Sequence, residues 1–274
     1  MNEKLKNHNL KGYELKGIEP ARLDVYRLSV SYGNYNALDN ITFSINHGER
    51  VAVIGPNGAG KSTLFKALIG LISPFKGKIL IHGQPLGYHF DCVAYIPQRE
   101  EVDWMFPVTV RDVVQMGRYS KSLRFKRRFK QDDSSEVDDA MKQMDIYSLA
   151  DRPIGDLSGG QQQRVFIARA LAQRPHIFLM DEPFNGIDVI TGDIIWALLD
   201  KLKQESVTVL IATHDLNLAS QRFDSVILIN KEMISAGQSS KVFTKENLLK
   251  AYGQQIMHIG NSIITDQCCP REIK

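Results

Sequence analysis

The stretch VAVIGPNGAGKSTLFKALIG, residues 51–70, constrains the fold more than any other part of the chain. Its first four residues are apolar and mostly β-branched, which is typical of a strand buried on both faces. A glycine-rich turn follows, and then a predicted helix that Gly70 is placed to end. The apolar side of that helix is formed by Leu64, Phe65, Leu68 and Ile69. This order of elements predicts an α/β fold with a loop that wraps a phosphate group.

The loop itself, GPNGAGKS, matches the pattern G-x-x-x-x-G-K-S. Its glycines allow backbone N–H groups to surround a β-phosphate, and the helix N-terminus adds partial positive charge. We expect Lys61 to reach the β- and γ-phosphates, Ser62 to bind Mg²⁺ and Thr63 to hold the α-phosphate. The sequence thus predicts a nucleoside triphosphate site, with a chance glycine-rich turn as the alternative. The predicted binding residues are Gly55, Pro56, Asn57, Gly58, Ala59, Gly60, Lys61, Ser62 and Thr63.

The predicted strand IFLM (177–180) is followed by two acidic residues, Asp181 and Glu182. Ligands bind at the carboxyl ends of strands in open α/β sheets, so both acids are expected beside the phosphates. Successive strand residues point to opposite faces, which gives the two acids different roles. We predict that Asp181 joins the Mg²⁺ coordination sphere and that Glu182 is the base that polarises the attacking water. A solvated turn is the bland alternative.

Two further polar residues follow predicted strands. His214 comes after VTVLIA (207–212), where a neutral imidazole could hold the γ-phosphate or steady Glu182 and the water. Gln98 ends YIPQ, where its amide could bind Mg²⁺ or the water. Either residue, taken alone, also fits a structural role.

The segment LSGGQQQR (157–164) has the features of a second anion site. Ser158 can cap a helix, and Gly159 and Gly160 expose the backbone before a helix-forming stretch. Since the phosphate loop at Gly55 is already complete, the residues alone leave the purpose of this second site open.

The remaining pattern is that of a sheet with an inserted helical part. SVILIN (225–230) and MISAG (233–237) predict a hairpin, and strands alternating with helices predict a mainly parallel sheet. The stretch between 99 and 157 has helical patterns at 109–117 and 134–149, and we interpret it as an inserted helical subdomain. The predicted organisation is a flexible tail at 1–20, a single domain at 21–250 and a C-terminal tail at 251–274.

Composition favours a protein of a reducing compartment. The chain has 274 residues, three cysteines and a net charge of +3, with no disulfide framework. No apolar run approaches the roughly 18 residues of a membrane span, and no signal peptide is recognisable. We therefore expect a cytoplasmic protein that reaches a membrane only through a partner.

Two other clusters attract attention without predicting a function. The basic stretch RYSKSLRFKRRFK (118–130) is interpreted as a solvated loop, with lipid headgroups as a lesser alternative. It has too few stacking aromatics for a nucleic-acid partner. His82, His89 and Cys92 match no common zinc spacing, so we predict no metal site there.

Taken in order, these motifs resemble those of the ATP-binding subunits of ABC transporters, over residues 21–240 or so. The segment LSGGQ is specific to that family among P-loop ATPases. The resemblance implies a P-loop NTPase core with a mainly parallel sheet, an antiparallel β part near the N-terminus and an inserted helical subdomain. It also implies ATP and Mg²⁺ as cofactors and adenine stacking on Tyr32.

The resemblance gives LSGGQ a role in a pair of subunits. Two copies would associate head to tail, so that Ser158, Gly159, Gly160 and Gln161 of one copy contact the nucleotide held by the other copy's Lys61. Asp188 would couple the two sites. The sequence departs from the family pattern here, because Asn185, Gly186 and Ile187 precede that aspartate.

The stretch REEVDWMFPVTVRDVVQMGRY (99–119) resembles the ATPases of manganese, zinc and iron importers. That implies an integral membrane permease, an extracytoplasmic metal-binding protein acting indirectly, and a place on the cytoplasmic face of the membrane. Trp104, Met105 and Phe106 would either receive a permease helix or form the core of the helical subdomain. The alternative is a soluble ABC ATPase of iron–sulfur assembly or DNA maintenance, although no sustained heptads predict the coiled coil of the latter.

Overall fold

A computed structural model describes residues 23–87, 92–101, 103–124, 131–253, 256–259 and 262–265. The predicted N-terminal tail, residues 125–130 of the basic stretch, His89 and the cysteines at 268 and 269 lie outside these ranges. Within the described ranges, no helix combines the length and the hydrophobicity that crossing a bilayer requires.

A six-stranded sheet forms the centre of the fold, in the order β10-β9-β3-β8-β7-β6. Its strands pair in parallel, except for the antiparallel hairpin of β9 and β10. The strands predicted from apolar runs are all present, and β3 lies between β8 and β9. The bounds are β3 Arg50–Ile54, β6 Val93–Ile96, β7 Ile177–Asp181, β8 Thr208–Thr213, β9 Ser225–Asn230 and β10 Glu232–Gly237.

A second, antiparallel sheet covers one face of the first, as the family resemblance implied. Its order is β2-β1-β4-β5. Helix α1 (Lys61–Leu68) joins the same apolar core as this sheet, with Leu64 and Phe65 fully buried. The strands are β1 Leu23–Tyr32, β2 Tyr35–Ile45, β4 Lys76–Ile81 and β5 Gln84–Pro85.

The helical subdomain contains α2 (Val110–Arg124) and α3 (Gln131–Gln143), and it packs on α4 (Gly159–Ala172). The prediction of a helix over 134–149 is wrong at its C-terminal end. The helix ends at Gln143 because Asp145 takes a left-handed backbone with φ of 52°, which an α-helix cannot continue.

Helices α2 and α4 approach each other at Gly117. A Cβ atom placed there would lie 2.1 Å from the carbonyl oxygen of Arg169. Arg118 then donates to the carbonyl of Ala172 at 2.9 Å and forms a 2.7 Å ion pair with Asp133. Arg118, the first residue of the basic stretch, therefore has a structural role, because it holds α4 against the helical subdomain.

The last part of the chain has more structure than the sequence predicted. Helices α5 (Val189–Gln204), α6 (Leu216–Arg222) and α7 (Ser239–Val242) precede α8 (Lys245–Tyr252). A hairpin of β11 (Ile256–Ile259) and β12 (Ser262–Thr265) lies where a C-terminal tail was expected. The short apolar runs IMHI and SIIT, separated by Gly-Asn, are a hairpin signal that the tail interpretation overlooked.

Candidate active site

The phosphate loop follows β3 and requires glycine at two places. A Cβ atom on Gly55 would lie 2.2 Å from the carbonyl oxygen of Ile229. Gly60 has φ of 97°, and a Cβ atom there would lie 2.5 Å from Cδ2 of Leu38. The loop is therefore packed tightly from outside while its backbone faces the site, which is the arrangement that binds phosphate.

A single residue in the β9–β10 turn, Lys231, holds the loop in place. The N–H of Lys231 donates to the carbonyl of Ala59 at 2.9 Å, and the carbonyl of Lys231 accepts from the N–H of Asp39 at 2.7 Å. The phosphate loop is thereby tied both to the central sheet and to β2.

Lys61 is buried at the mouth of the loop. Its ammonium donates to the carbonyl of Gly55 at 2.8 Å and to that of Pro56 at 3.2 Å. Burial lowers the pKa of Lys61, whereas Glu182 and Asp181 raise it. A desolvated cation of this kind gains from the approach of a phosphate anion.

The loop opens on a cavity of about 340 Å³. Tyr32 stands at its edge, half exposed, with its hydroxyl 3.5 Å from Oγ1 of Thr63. Tyr35, which the sequence analysis missed, also lines the cavity and is equally exposed. Two exposed aromatic rings beside a phosphate loop form a platform on which a base can stack. The lining residues are Tyr32, Tyr35, Ala37, Asn57, Gly58, Ala59, Gly60, Lys61, Ser62, Thr63, Gln98 and Glu182.

The three residues predicted to bind Mg²⁺ come together. Asp181 ends β7 and is only 1% exposed. Its Oδ1 accepts from the amide of Gln98 at 3.4 Å, and the hydroxyl of Ser62 bonds to the same carboxylate. Its Oδ2 is buried without a hydrogen-bond partner. Burial is the main cause that raises the pKa of Asp181. A buried carboxylate with an unsatisfied oxygen, a hydroxyl and an amide form an oxygen-donor set that fits Mg²⁺.

Glu182 lies just beyond the end of β7 in a left-handed backbone conformation, so the alternation of strand residues does not set its side-chain direction; its carboxylate lies near His214. Its φ is 50°, and its N–H donates to the carbonyl of Ala212 at 3.0 Å. Nδ1 of His214 lies 3.6 Å from Oε2 of Glu182. Glu182 lines both the phosphate cavity and a neighbouring one that contains His214. The imidazole is thus placed to contact Glu182 rather than the phosphate loop.

The predicted cap of α4 is present as a reciprocal pair. The N–H of Gln161 donates to the Ser158 hydroxyl at 3.4 Å, and Oε1 of Gln161 accepts from the N–H of Ser158 at 2.9 Å. The described structure does not bring Ser158, Gly159, Gly160 or Gln161 into the lining of the phosphate cavity of the same chain. Their role towards a nucleotide of another copy stays a prediction.

Asp188 lies at the start of α5 and contacts its own chain. Its carboxylate accepts from the N–H of Thr191 at 2.8 Å and from the Thr191 hydroxyl at 3.0 Å, and these bonds lower the pKa of Asp188. A Cβ atom on Gly160 would lie 2.6 Å from both side chains. The sequence analysis missed Thr191, because no motif marks it.

Arg99 is a second residue that the motifs did not reveal. Its guanidinium donates to Oε1 of Gln162 at 3.2 and 3.0 Å and packs over the Gly159 backbone. An arginine one residue after Gln98 therefore links the Mg²⁺ side of the site to the start of α4.

The three apolar residues at 104–106 differ in their surroundings. Trp104 packs edge to face on Phe166 of α4, with ring centroids 5.0 Å apart. Met105 and Phe106 are 88% and 57% exposed. Trp104 therefore belongs to the subdomain core, and the other two form a surface feature.

The predicted absence of a metal site concerned His82 and Cys92 together with His89, which lies outside the described residues. The side chains of His82 and Cys92 do lie together in the structure, and His176 is their neighbour there.

Comparison with known proteins agrees with this geometry. The sequence model described as ABC transporter matches residues 38–185. The manganese transport system ATP-binding protein of Halalkalibacterium halodurans is 44% identical over 228 residues, covering 83% of this chain and 90% of that protein. The chelated iron transport system protein of Yersinia pestis is 42% identical over 243 residues, covering 88% and 82%. A solved metal-chelate type ABC transporter in an inward-facing conformation contains a chain that superposes with a TM-score of 0.73. That chain is 31% identical, and the match covers 89% of this chain and 95% of that one.

Proposed function

The chain belongs to the ABC transporter family, as an ATPase coupled to transport, and we propose that it powers the import of a transition-metal ion. Manganese, iron and zinc are the candidate ions. Two of the relatives belong to manganese and chelated iron transport systems, which supports this substrate class. The observation that carries the ATPase role is the cavity where Lys61, Gln98 and Glu182 meet, with Asp181 directly beneath.

Each side chain has a distinct part in hydrolysis. Lys61 and the loop amides bind the β- and γ-phosphates, and Tyr32 stacks on the base. Ser62, Gln98 and Asp181 would hold Mg²⁺, which would neutralise charge on the phosphates. Glu182 accepts a hydrogen bond from the attacking water. As the water oxygen bonds to the γ-phosphorus, the bond from that phosphorus to the bridging oxygen breaks, ADP leaves with that oxygen, and a proton of the water passes to the Glu182 carboxylate. His214, 3.6 Å away, holds Glu182 in position.

A second copy of the chain completes the site in this proposal. The amides at the start of α4 lie outside the cavity of their own chain, and the residues at the start of α5, Val189 and Ile190, are 80% and 72% exposed. An apolar pair at the surface beside Asp188 is suited to an interface. In a head-to-tail dimer the amides of Gly159 and Gly160 would bind the γ-phosphate of the other copy.

Ser158→Arg tests the dimer. We expect loss of hydrolysis with unchanged nucleotide affinity of the single chain, because the bulky cation would face the other copy. A large fall in affinity of the isolated chain would contradict the proposal. Ser220→Arg, on the surface of α6, is the matched control.

The permease partner is proposed to bind at Met105 and Phe106. Both side chains are exposed at the entrance to the helical subdomain, and a helix of a membrane protein offers the apolar surface that they lack. In this proposal the chain lies on the cytoplasmic face of the membrane. An extracytoplasmic metal-binding protein would supply the ion to the permease and never contact this subunit.

The test of the substrate class is the metal content of cells that lack the chain. We expect manganese, iron or zinc to fall in the deletion strain and in cells with Glu182→Gln, and to return with the wild type. Glu205→Gln, an exposed acid beyond the end of α5, is the matched control and should restore transport. Unchanged levels of all three elements would contradict metal import. Purification from gently solubilised membranes separates the alternatives, because a soluble ABC ATPase would bring down no integral membrane protein.

A further inference from the structure

A cluster of soft ligands lies at the end of the sheet opposite to the phosphate loop. His82, Cys92 and His176 each offer one ligand atom, and these atoms all lie within 4.8 Å of one another. Nε2 of His82 is 3.1 Å from Nδ1 of His176. A third imidazole, that of His47, has its ring centroid 6.0 Å from that of His82.

The backbone that carries two of these residues is part of the sheet. Cys92 immediately precedes β6, and His176 immediately precedes β7. These strands pair side by side from Val93 and Ile177 onwards, and the N–H of His176 donates to the carbonyl of Cys92 at 2.8 Å. His82 follows β4 of the antiparallel sheet. The cluster therefore joins the two sheets of the protein on a rigid base.

The distances match the requirements of one tetrahedral ion. With metal–nitrogen bonds of about 2.0–2.1 Å, two imidazoles on the same Zn²⁺ have their nitrogens about 3.4 Å apart. The observed distance between the two nitrogens, 3.1 Å, is slightly shorter than that value. A small rotation of one imidazole ring would remove the difference. The sulfur must approach the nitrogens to roughly 3.5 Å, and since all three ligand atoms lie within 4.8 Å of one another, that approach is at most about 1.3 Å.

We propose that His82, Cys92 and His176 form a binding site for a borderline d-block divalent cation of the Zn²⁺ class, with water as the fourth ligand. Thiolate and imidazole favour Zn²⁺ and Co²⁺ over Mg²⁺ and Mn²⁺, which prefer oxygen donors. Binding replaces the thiol proton of Cys92 with the metal–sulfur bond and releases that proton to solvent.

The site is separate from the nucleotide. Cys92 and His176 immediately precede β6 and β7, and the same two strands lead to Gln98 and Asp181 at the other end. At about 3.3 Å per residue, the five residues from His176 to Asp181 span roughly 16 Å. The proposal therefore stands or falls independently of ATP hydrolysis and of metal import.

The experiment is a titration of untagged protein with Co²⁺, followed by absorption spectroscopy. The starting chain carries Cys268→Ser and Cys269→Ser, so that Cys92 is the only thiol of the three in the sequence. We expect one equivalent of Co²⁺ to produce a thiolate charge-transfer band and the visible bands of tetrahedral Co²⁺, and Zn²⁺ to displace it. Cys92→Ser should abolish the charge-transfer band, and His176→Gln should weaken Co²⁺ binding about tenfold or more. His8→Ala is the matched imidazole control and should bind as the starting chain does.

A second measurement needs no change in the cluster. In the same starting chain, Zn²⁺ should slow the alkylation of Cys92 by iodoacetamide, and Mg²⁺ at the same concentration should not. Absence of the charge-transfer band in the starting chain overturns the proposal. Persistence of the charge-transfer band in Cys92→Ser would also overturn it. A rate of Cys92 alkylation that Zn²⁺ leaves unchanged would do the same.

Discussion

Gly160 and Asp188 pack against each other within one chain, so closely that a Cβ atom on the glycine would lie 2.6 Å from Oδ2 of the aspartate. The contact joins the first turn of α4 to the first turn of α5. Asp188 follows Glu182 by six residues, so the contact connects the start of α4 to the segment that carries the two acids of the site.

We predict that Gly160→Ala destabilises the fold by about 1–3 kcal/mol, as overpacking does, and lowers ATP hydrolysis. The added methyl group would displace both Asp188 and Thr191. Chemical denaturation and phosphate release measure the two effects. Gly192→Ala is the matched control on α5, because a Cβ atom there meets nothing within 4 Å. That variant should be as stable as the wild type or more so. Equal stability of the two variants would contradict the close packing.

Glu182→Gln should retain ATP binding and lower hydrolysis by about 10²–10⁴-fold, the contribution typical of a positioned base. The amide keeps the size of the side chain and its place beside His214 but accepts a proton poorly. Nucleotide affinity and phosphate release, measured on the same preparation, separate binding from chemistry. Near-normal turnover would remove Glu182 from the role of base.

We predict that Asp181→Asn raises the thermal stability of the protein and lowers its rate of ATP hydrolysis. Burial raises the pKa of Asp181 above 3.8, so the folded protein holds a proton that the unfolded chain has lost. Its contribution to the free energy of unfolding therefore falls as the pH rises from that value through the raised native pKa. At neutral pH without Mg²⁺ and nucleotide, the asparagine variant should unfold at a higher temperature than the wild type.

The same variant should hydrolyse ATP at least about 100-fold more slowly, because the carboxylate is lost from the Mg²⁺ site. Thermal unfolding at pH 4 and pH 8 provides the control. The advantage of the variant should be smaller at pH 4, where the wild-type carboxyl is closer to neutral. An advantage that is independent of pH would contradict the assignment to this carboxyl group.

Tyr32→Ala should weaken ATP binding about tenfold, within the range of about 1–3 kcal/mol found for stacking of a base on an aromatic ring. Tyr32→Phe keeps the ring and loses only the hydroxyl near Thr63, so its affinity should stay close to that of the wild type. Equilibrium binding of a fluorescent ATP analogue measures both. An equal loss in the two variants would assign the effect to the hydroxyl instead.

Residues within one motif could be predicted from the sequence, because a motif fixes its own local geometry. The strand before Gly55, the helix after Lys61 and the cap at Ser158 are of this kind. Asp181 and Glu182 could also be placed, since every parallel strand ends at the same edge of the sheet. The orientation of Glu182 could not be predicted from strand alternation, because its left-handed backbone, with φ of 50°, lies beyond the end of the strand.

Contacts between distant segments could not be predicted. Thr191 meets Gly160, and Arg99 meets Gln162, only because the helical subdomain folds back onto the core. The cluster of His82, Cys92 and His176 depends on which strands are neighbours, and spacing along the chain carries no such information. The end of α3 was missed because a single left-handed residue, Asp145, outweighs the helical pattern around it.

The tie between Lys231 and the phosphate loop has a consequence for synthesis on the ribosome. The loop at residues 55–62 leaves the exit tunnel early, yet its outer support at Lys231 and both neighbours of β3 come from residues beyond 207. Non-local pairing of this kind forms late. A nascent chain that ends before residue 231 contains the entire phosphate-loop motif but lacks the Lys231 contacts that support the loop. We therefore expect a fragment that ends before residue 231 to bind ATP more weakly than the intact chain.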